Sequence, residues 1–166
     1  MTVERNLLPI TEFRIVFGPN RLFTELDAYA VSVNIPSINM ADLPTPWRSE
    51  MGYVASNRIT YDPLNIKFAV DEKMQIYYDL YRWMYENACA PGGGHGTGPD
   101  AFSDISLQIL NSSFGKTQEF KFVNSFPTQI NSIEFNVQAS EVTYAFVDVS
   151  FRYDYFEIVG MIESEC

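Results

Sequence analysis

Between Ala145 and Val159 the chain reads A-F-V-D-V-S-F-R-Y-D-Y-F-E-I-V, where Val147, Val149, Phe151, Tyr153 and Tyr155 recur at every second position against Asp148, Ser150, Arg152 and Asp154. Side chains of a strand alternate between two faces, so a run like this buries one face and shows polar groups on the other. It is far longer than the roughly 5–6 residues of an average strand. Such a strand, close to the end of the sequence, calls for a large sheet or a neighbouring subunit to pair with. That requirement points toward an assembly protein.

The remaining strands follow the same rule. Phe13, Ile15 and Phe17 alternate before the turn G-P-N, and Val31, Val33 and Ile35 alternate before Pro36. Leu64, Ile66, Phe68 and Val70 share a face opposite Asn65 and Lys67. Ile105, Leu107 and Ile109 lead through the turn N-S-S-F-G, residues 111–115, to Phe120 and Phe122, and Ile130, Ile133 and Phe135 form another short strand after a turn at Pro127. Over residues 71–87 the period changes. Met74, Tyr77, Tyr78, Tyr81, Met84 and Tyr85 fall on one stripe of an amphipathic helix, with Ile76, Leu80 and Trp83 on a second stripe beside it. Asp71 is the expected N-cap, and Glu72 suits the positive end of the helix dipole. The helix is apolar around so much of its girth that its own fold or a neighbour must cover it.

About seven strands and one helix in 166 residues predict a single, mainly β domain over 1–166: a twisted β-sandwich or barrel with the helix flanking it. Residues 36–58 carry three prolines and a glycine without a steady period, and they predict a long extended loop. Met40, Trp47, Met51 and Tyr53 lie on it, and apolar groups on a long loop commonly mark a contact surface. These four, with Tyr155 of the terminal strand, are the candidate inter-subunit contacts; packing of the loop against its own domain is the alternative.

The sequence offers little to chemistry. The glycines of A-P-G-G-G-H-G-T-G-P, residues 90–99, match no phosphate-binding spacing, and His95, the only histidine, falls in that linker with no second base or ligand at a fixed distance. Cys89 and Cys166 make neither a disulfide framework nor a metal motif; they read as two free thiols, with a bridge between subunits as the alternative. No cofactor, metal or catalytic residue is expected. The first residues lack the apolar core of a signal peptide, and no apolar run approaches the roughly 20 residues of a membrane span. The net charge is −10, and from Phe122 onward one base, Arg152, faces seven acids. Such a surface repels nucleic acid rather than gripping it.

Taken in order, four stretches resemble the tail tube proteins of contractile-tailed, myovirus-type bacteriophages. They are T-Y-D-P-L-N-I-K-F-A-V-D-E-K-M-Q-I-Y-Y-D-L-Y-R-W-M (60–84), I-S-L-Q-I-L-N-S-S-F-G-K-T-Q-E-F-K-F (105–122), F-P-T-Q-I-N-S-I-E-F (126–135) and V-D-V-S-F-R-Y-D-Y-F-E-I (147–158). With the two early strands and I-P-S-I-N-M, the likeness covers most of the chain. The resemblance implies a β-barrel that assembles with copies of itself into hexameric rings, stacked as a tube inside the sheath. Sheets would join edge to edge, and segment 36–58 would reach an adjacent ring. The implied partners are the tail sheath, baseplate and tube-terminator proteins, with DNA passing through unbound. The implied location is the virion, after assembly in the host cytoplasm. An acidic bore would let DNA slide, and Asp148 and Asp154 are the candidate lumen-facing residues. A tube initiator or terminator, or the tube of a contractile injection or type VI secretion system, shares the fold. An enzyme would need a nucleophile–base pair or paired carboxylates that the sequence does not display. A ligand-binding barrel would leave segment 36–58 and the terminal strand unexplained.

Overall fold

The computed structural model describes residues 10–18, 29–47, 50–89, 101–137 and 144–159, with the side chain of Trp47 left out. Nine strands and one helix are present among them: β1 (Phe13–Phe17), β2 (Ala30–Asn34), β3 (Ile38–Trp47), β4 (Glu50–Tyr61), β5 (Leu64–Ala69), α1 (Gln75–Ala88), β6 (Ser103–Leu110), β7 (Lys116–Ile130), β8 (Phe146–Arg152) and β9 (Tyr155–Val159). All strand pairs are antiparallel. The fold is a β-sandwich with a flanking helix, not a closed barrel.

The two layers share one strand. The first half of β7 lies between β6 and β9, giving a first sheet of order β1-β6-β7-β9. Its second half pairs with β8, giving a second sheet of order β2-β5-β8-β7. The crossing falls at Asn124, whose φ of 54° is a left-handed conformation that asparagine tolerates better than most residues. Its backbone N–H donates to Asp104 Oδ1 at 3.2 Å, and its side-chain amide donates to Asp154 Oδ2 at 2.7 Å. Between the layers lie Ile15 and Phe17 of β1, Leu64, Ile66 and Phe68 of β5, Ile105 and Leu107 of β6, Phe122 of β7, and Val147, Val149 and Phe151 of β8. The alternations read from the sequence in β1, β5, β6 and β8 thus set the core. Burying each such side chain contributes roughly 1.5–3 kcal/mol.

Helix α1 begins at Gln75, four residues later than expected. Its N-cap is Met74, in a left-handed conformation and without a side-chain cap, so Asp71 is not the N-cap and Glu72 precedes the first turn. Asp71 still serves the helix start from a distance, because its carboxylate accepts from the N–H groups of Lys73 and Ile76. The second apolar stripe, Ile76, Leu80 and Trp83, is the one that enters the core. The Trp83 ring packs at a tilt 5.9 Å from Phe151, and its indole N–H donates to the Ala101 carbonyl at 3.0 Å. Tyr78, Tyr81 and Tyr85 of the longer stripe stay more than half exposed. Tyrosine leaves a hydroxyl to be satisfied when buried, whereas Ile and Leu do not, so the stripe with fewer polar atoms packs inward.

Three other expectations change. Residues 36–58 do not form a loop: β3 and β4 make a separate two-stranded hairpin. The run 130–135 is not a strand; β7 passes straight through Pro127 and ends at Ile130. The long terminal strand is broken at Tyr153–Asp154 into β8 and β9. β8 is paired on both sides, by β5 and β7, so it takes its partners from its own chain. The turn at 111–115 is as expected: Asn111 Oδ1 accepts from the N–H groups of Ser113 and Gly115, and Phe114 takes φ 59°. The glycine linker with His95, and Cys166, lie outside the described residues.

Candidate assembly surfaces

Among the described residues, the β3–β4 hairpin pairs with no other strand of the fold, and most of its apolar side chains are exposed. Residues opposite each other in an antiparallel pair share a face. The register sets Ile38 against Tyr61, Met40 against Ile59, Asp42 against Ala55, Pro44 against Tyr53 and Pro46 against Met51. One face of the hairpin is therefore apolar along its length, with Asp42 as its one charge. Met40, Met51 and Tyr53 lie on this face, Met40 toward the root and the other two toward the tip, exposed by 55%, 64% and 70%. The register shift between Met40 and Asp42, where β4 holds extra residues, keeps both halves of the stripe on the same side. Prolines 44 and 46 are compatible with β3 because it pairs only with β4, and proline is tolerated at a sheet edge. Trp47 ends β3 opposite Glu50, and its side chain lies outside the described residues.

At about 3.3 Å per residue the ten residues of β3 reach roughly 33 Å from the root. That root is built from three hydrogen bonds and two ring contacts. The Asp62 N–H donates to the Ser37 carbonyl at 3.2 Å, and the Ser37 hydroxyl donates to the Asp62 carboxylate. The Tyr61 ring packs 5.4 Å from Phe156 and 6.1 Å from Tyr153. Tyr153, in the bend between β8 and β9, donates its hydroxyl to the Asp62 carbonyl. Partial burial, then the neighbouring Tyr61 and Asp62, push its phenol up to about 12, which keeps the donor protonated. An isolated two-stranded hairpin is at best marginally stable in water, so both the root and whatever covers the apolar face matter to it.

Sheet edges form the second open surface. β1 and β9 bound the first sheet, and β2 bounds the second. The edges of β1 and β2 face each other across an open cleft of about 590 Å³, lined by Phe13, Val31, Val33, Ile35, Leu107 and Ile109 among others. Val31 and Ile35, expected to turn inward, instead stay about half exposed at this mouth. Tyr155 opens β9 opposite Val123 and is half exposed.

A third is the tyrosine ridge of α1. Tyr81 and Tyr85 stack with ring centroids 6.0 Å apart. Arg82 beside them donates to Glu86 at 2.6 Å, and this bond, then the charge of Glu86, holds the guanidinium above its ordinary value.

The two carboxylates expected on one polar strand face are separated. Asp148 lies on the outer face of β8, 3.7 Å from the Lys67 ammonium on β5. Asp154 lies beyond the end of β8, in the bend, and accepts from Asn124. Sequence reasoning missed Tyr61, Tyr153 and Lys67. Their roles depend on which strands pair, which no local pattern reports.

The family model for phage tail tube proteins matches residues 11–159. No curated protein matches in sequence. Solved structures with the same fold include a chain of the cryo-EM structure of the anti-feeding prophage cap, the tube-terminating cap, at TM-score 0.67 and 14% identity, covering 95% of this chain and 98% of that one. A chain of the extended sheath–tube complex of PVC, an extracellular contractile injection system, gives TM-score 0.60 at 14% identity, over 94% and 93%. Hcp1 from Flavobacterium johnsoniae gives TM-score 0.53 at 12% identity, over 90% and 95%.

Proposed function

The chain belongs to the phage tail tube protein family, and from that membership we propose that it is the repeating subunit of an inner tail tube, stacked as hexameric rings around a bore through which DNA leaves the particle. Its role is structural, without catalysis or cofactor, and its place is the virion, reached after assembly in the host cytoplasm. The observation that carries this reading is the hairpin: an apolar face of Ile38, Met40, Pro44, Pro46, Met51, Tyr53 and Ile59 that no other described strand or helix covers. A second copy in the adjacent ring would cover it, with Met40, Met51 and Tyr53 as contacts and Trp47 at the tip. The open edges of β1, β2 and β9 support lateral joining of sheets, with Tyr155 at one such edge; closing a ring removes edges that otherwise aggregate. The exposed tyrosine ridge of α1 would meet a neighbouring subunit or the sheath.

Electron microscopy of the purified protein tests the reading. Rings of six or tubes are expected, and the paired variant Met51→Ser with Tyr53→Ser should leave folded subunits that do not stack. A second reading is favoured by the likeness to the anti-feeding prophage cap: a tube terminator or initiator, at the baseplate or head-proximal end, which would form single rings and cap tubes rather than elongate them. The tube of a contractile injection or type VI secretion system shares the fold and would form tubes alike.

A further inference from the structure

In a tube, each subunit turns one surface toward the bore, and the outer faces of the two sheets differ in how many charged side chains they carry. On the outer face of the first sheet, Ser106 and Gln108 of β6 are flanked by long charged side chains: Arg14, Glu119, Lys121 and Glu157, with Asp104 bound to Lys121 at 2.9 Å. The second sheet carries two cross-strand rows of polar groups, most of them short and uncharged. One runs Asn34, Asn65, Ser150, Gln129 and the other Ser32, Lys67, Asp148. The Ser150 hydroxyl donates to Asn65 Oδ1 at 2.7 Å. Lys67 and Asp148 are the only charges in these rows, and they face each other at 3.7 Å with both side chains reaching solvent. Arg152 lies at the end of β8, at the rim of the face. In a chain of net charge −10, this face is kept clear of excess acid.

We propose that the outer face of the β2-β5-β8-β7 sheet lines the bore, and that Asp148 cancels Lys67 so that a nucleic acid strand passing along it meets no free cation in the middle of the wall. The inference rests on the tube reading. It replaces the expectation of an acidic conduit with a hydroxyl-and-amide wall whose two central charges cancel. The occupant follows from the charges. An unpaired ammonium repeated in every subunit would form a basic ring that contacts successive phosphates and gains counterion release at each, holding the strand. A polypeptide of mixed charge would be indifferent to one lysine per subunit. An exposed pair at this distance adds little to folding, so its removal changes the charge of the wall and leaves the fold.

The test uses tubes of the wild type, of Asp148→Asn, and of Asp148→Asn combined with Lys67→Gln. Each is incubated with a short single-stranded oligodeoxynucleotide at low salt, treated with nuclease and sedimented. Asp148→Asn tubes should retain at least about threefold more nuclease-resistant oligonucleotide than wild type, lose it at high salt, and return to the wild-type level when Lys67 is also neutralised. Retention unchanged by Asp148→Asn, or bound strand that the nuclease digests, would overturn the assignment. A Ser150→Cys variant in a Cys89→Ser, Cys166→Ser background gives an answer that does not need Asp148 changed. In tubes the new thiol should react with a small maleimide and resist a bulky polymer-linked one, and reaction with both would place this face outside. If the wild type forms no tubes or rings, it is the tube reading that fails.

Discussion

The Tyr153 hydroxyl lies 2.8 Å from the Asp62 carbonyl, joining the bend between β8 and β9 to the root of the hairpin that begins at Ile38. A side chain from near the end of the sequence thus sets how the candidate contact surface leaves the body of the fold. Tyr153→Phe removes one hydrogen bond and keeps the ring contacts with Phe122, Tyr61 and Phe156, so it should cost about 0.5–1.5 kcal/mol. The loss should be local. Hydrogen exchange should speed up in β3 and β4 while β5 and β6 keep their protection, and uniform acceleration across the sandwich would show that the bond anchors no separate unit.

The same hydroxyl predicts a pH dependence. Its value rises from 10.0 in the unfolded reference to about 12 in the fold, chiefly through burial. A group whose value is raised by folding contributes stability that is complete below the unfolded value and is lost as pH climbs through the folded one. Stability should therefore fall between about pH 10 and pH 12 more steeply in the wild type than in Tyr153→Phe. Urea denaturation midpoints across that range measure it, and parallel curves for the two proteins would remove the assignment.

Trp83 is the residue of α1 with most to lose. It is buried against Phe151 and hydrogen-bonded to Ala101, which ties the helix to the start of β6. Trp83→Ala should destabilise by about 3–5 kcal/mol through the cavity and the loss of one of the two donors to the Ala101 carbonyl, the other being the Asn87 amide. Tyr81→Ala, on the exposed ridge, should stay within about 0.5 kcal/mol of wild type in the isolated subunit. Thermal melts of the two would contradict this packing if their order were reversed.

The hairpin separates folding from assembly. Met51→Ser with Tyr53→Ser should leave the far-ultraviolet spectrum and melting point of the subunit nearly unchanged, because neither side chain belongs to the sandwich core. Sedimentation velocity should show the distribution moving from large assemblies to single subunits or single rings. Unchanged assembly would mean that this face is not the contact between rings.

What could be read from the residues depended on how local the deciding contact is. Leu64–Ile66–Phe68 and Ile105–Leu107–Ile109 declared their buried faces because each strand has a polar side and an apolar side, and the core they enter is the one their own pattern requires. The hairpin stayed hidden because Pro44 and Pro46 mimic a loop and because its apolar stripe passes through Asp42; only the pairing with Ala55, Tyr53 and Met51 reveals a face. In α1 the tyrosine stripe was the more conspicuous, yet Ile76, Leu80 and Trp83 took the core, since periodicity counts apolar positions and does not weigh hydroxyls. The break at Tyr153–Asp154 moves the inward face from Val147, Val149 and Phe151 to Phe156 and Ile158, a change of phase that the sequence marks only by Glu157 falling where an apolar residue is due. Asp148 stood out as a carboxylate on a polar face, but its neutralisation by Lys67 depends on the β5–β8 register, which lies beyond any sequence window.

Cryo-electron microscopy of the purified protein, imaged at high concentration, tests the central claim most directly. The account predicts six-fold rings or tubes in which the β3–β4 hairpin of each subunit lies against a neighbouring copy, with Met40, Met51 and Tyr53 buried there. Monodisperse single subunits, or rings in which that face stays open to solvent, would contradict it.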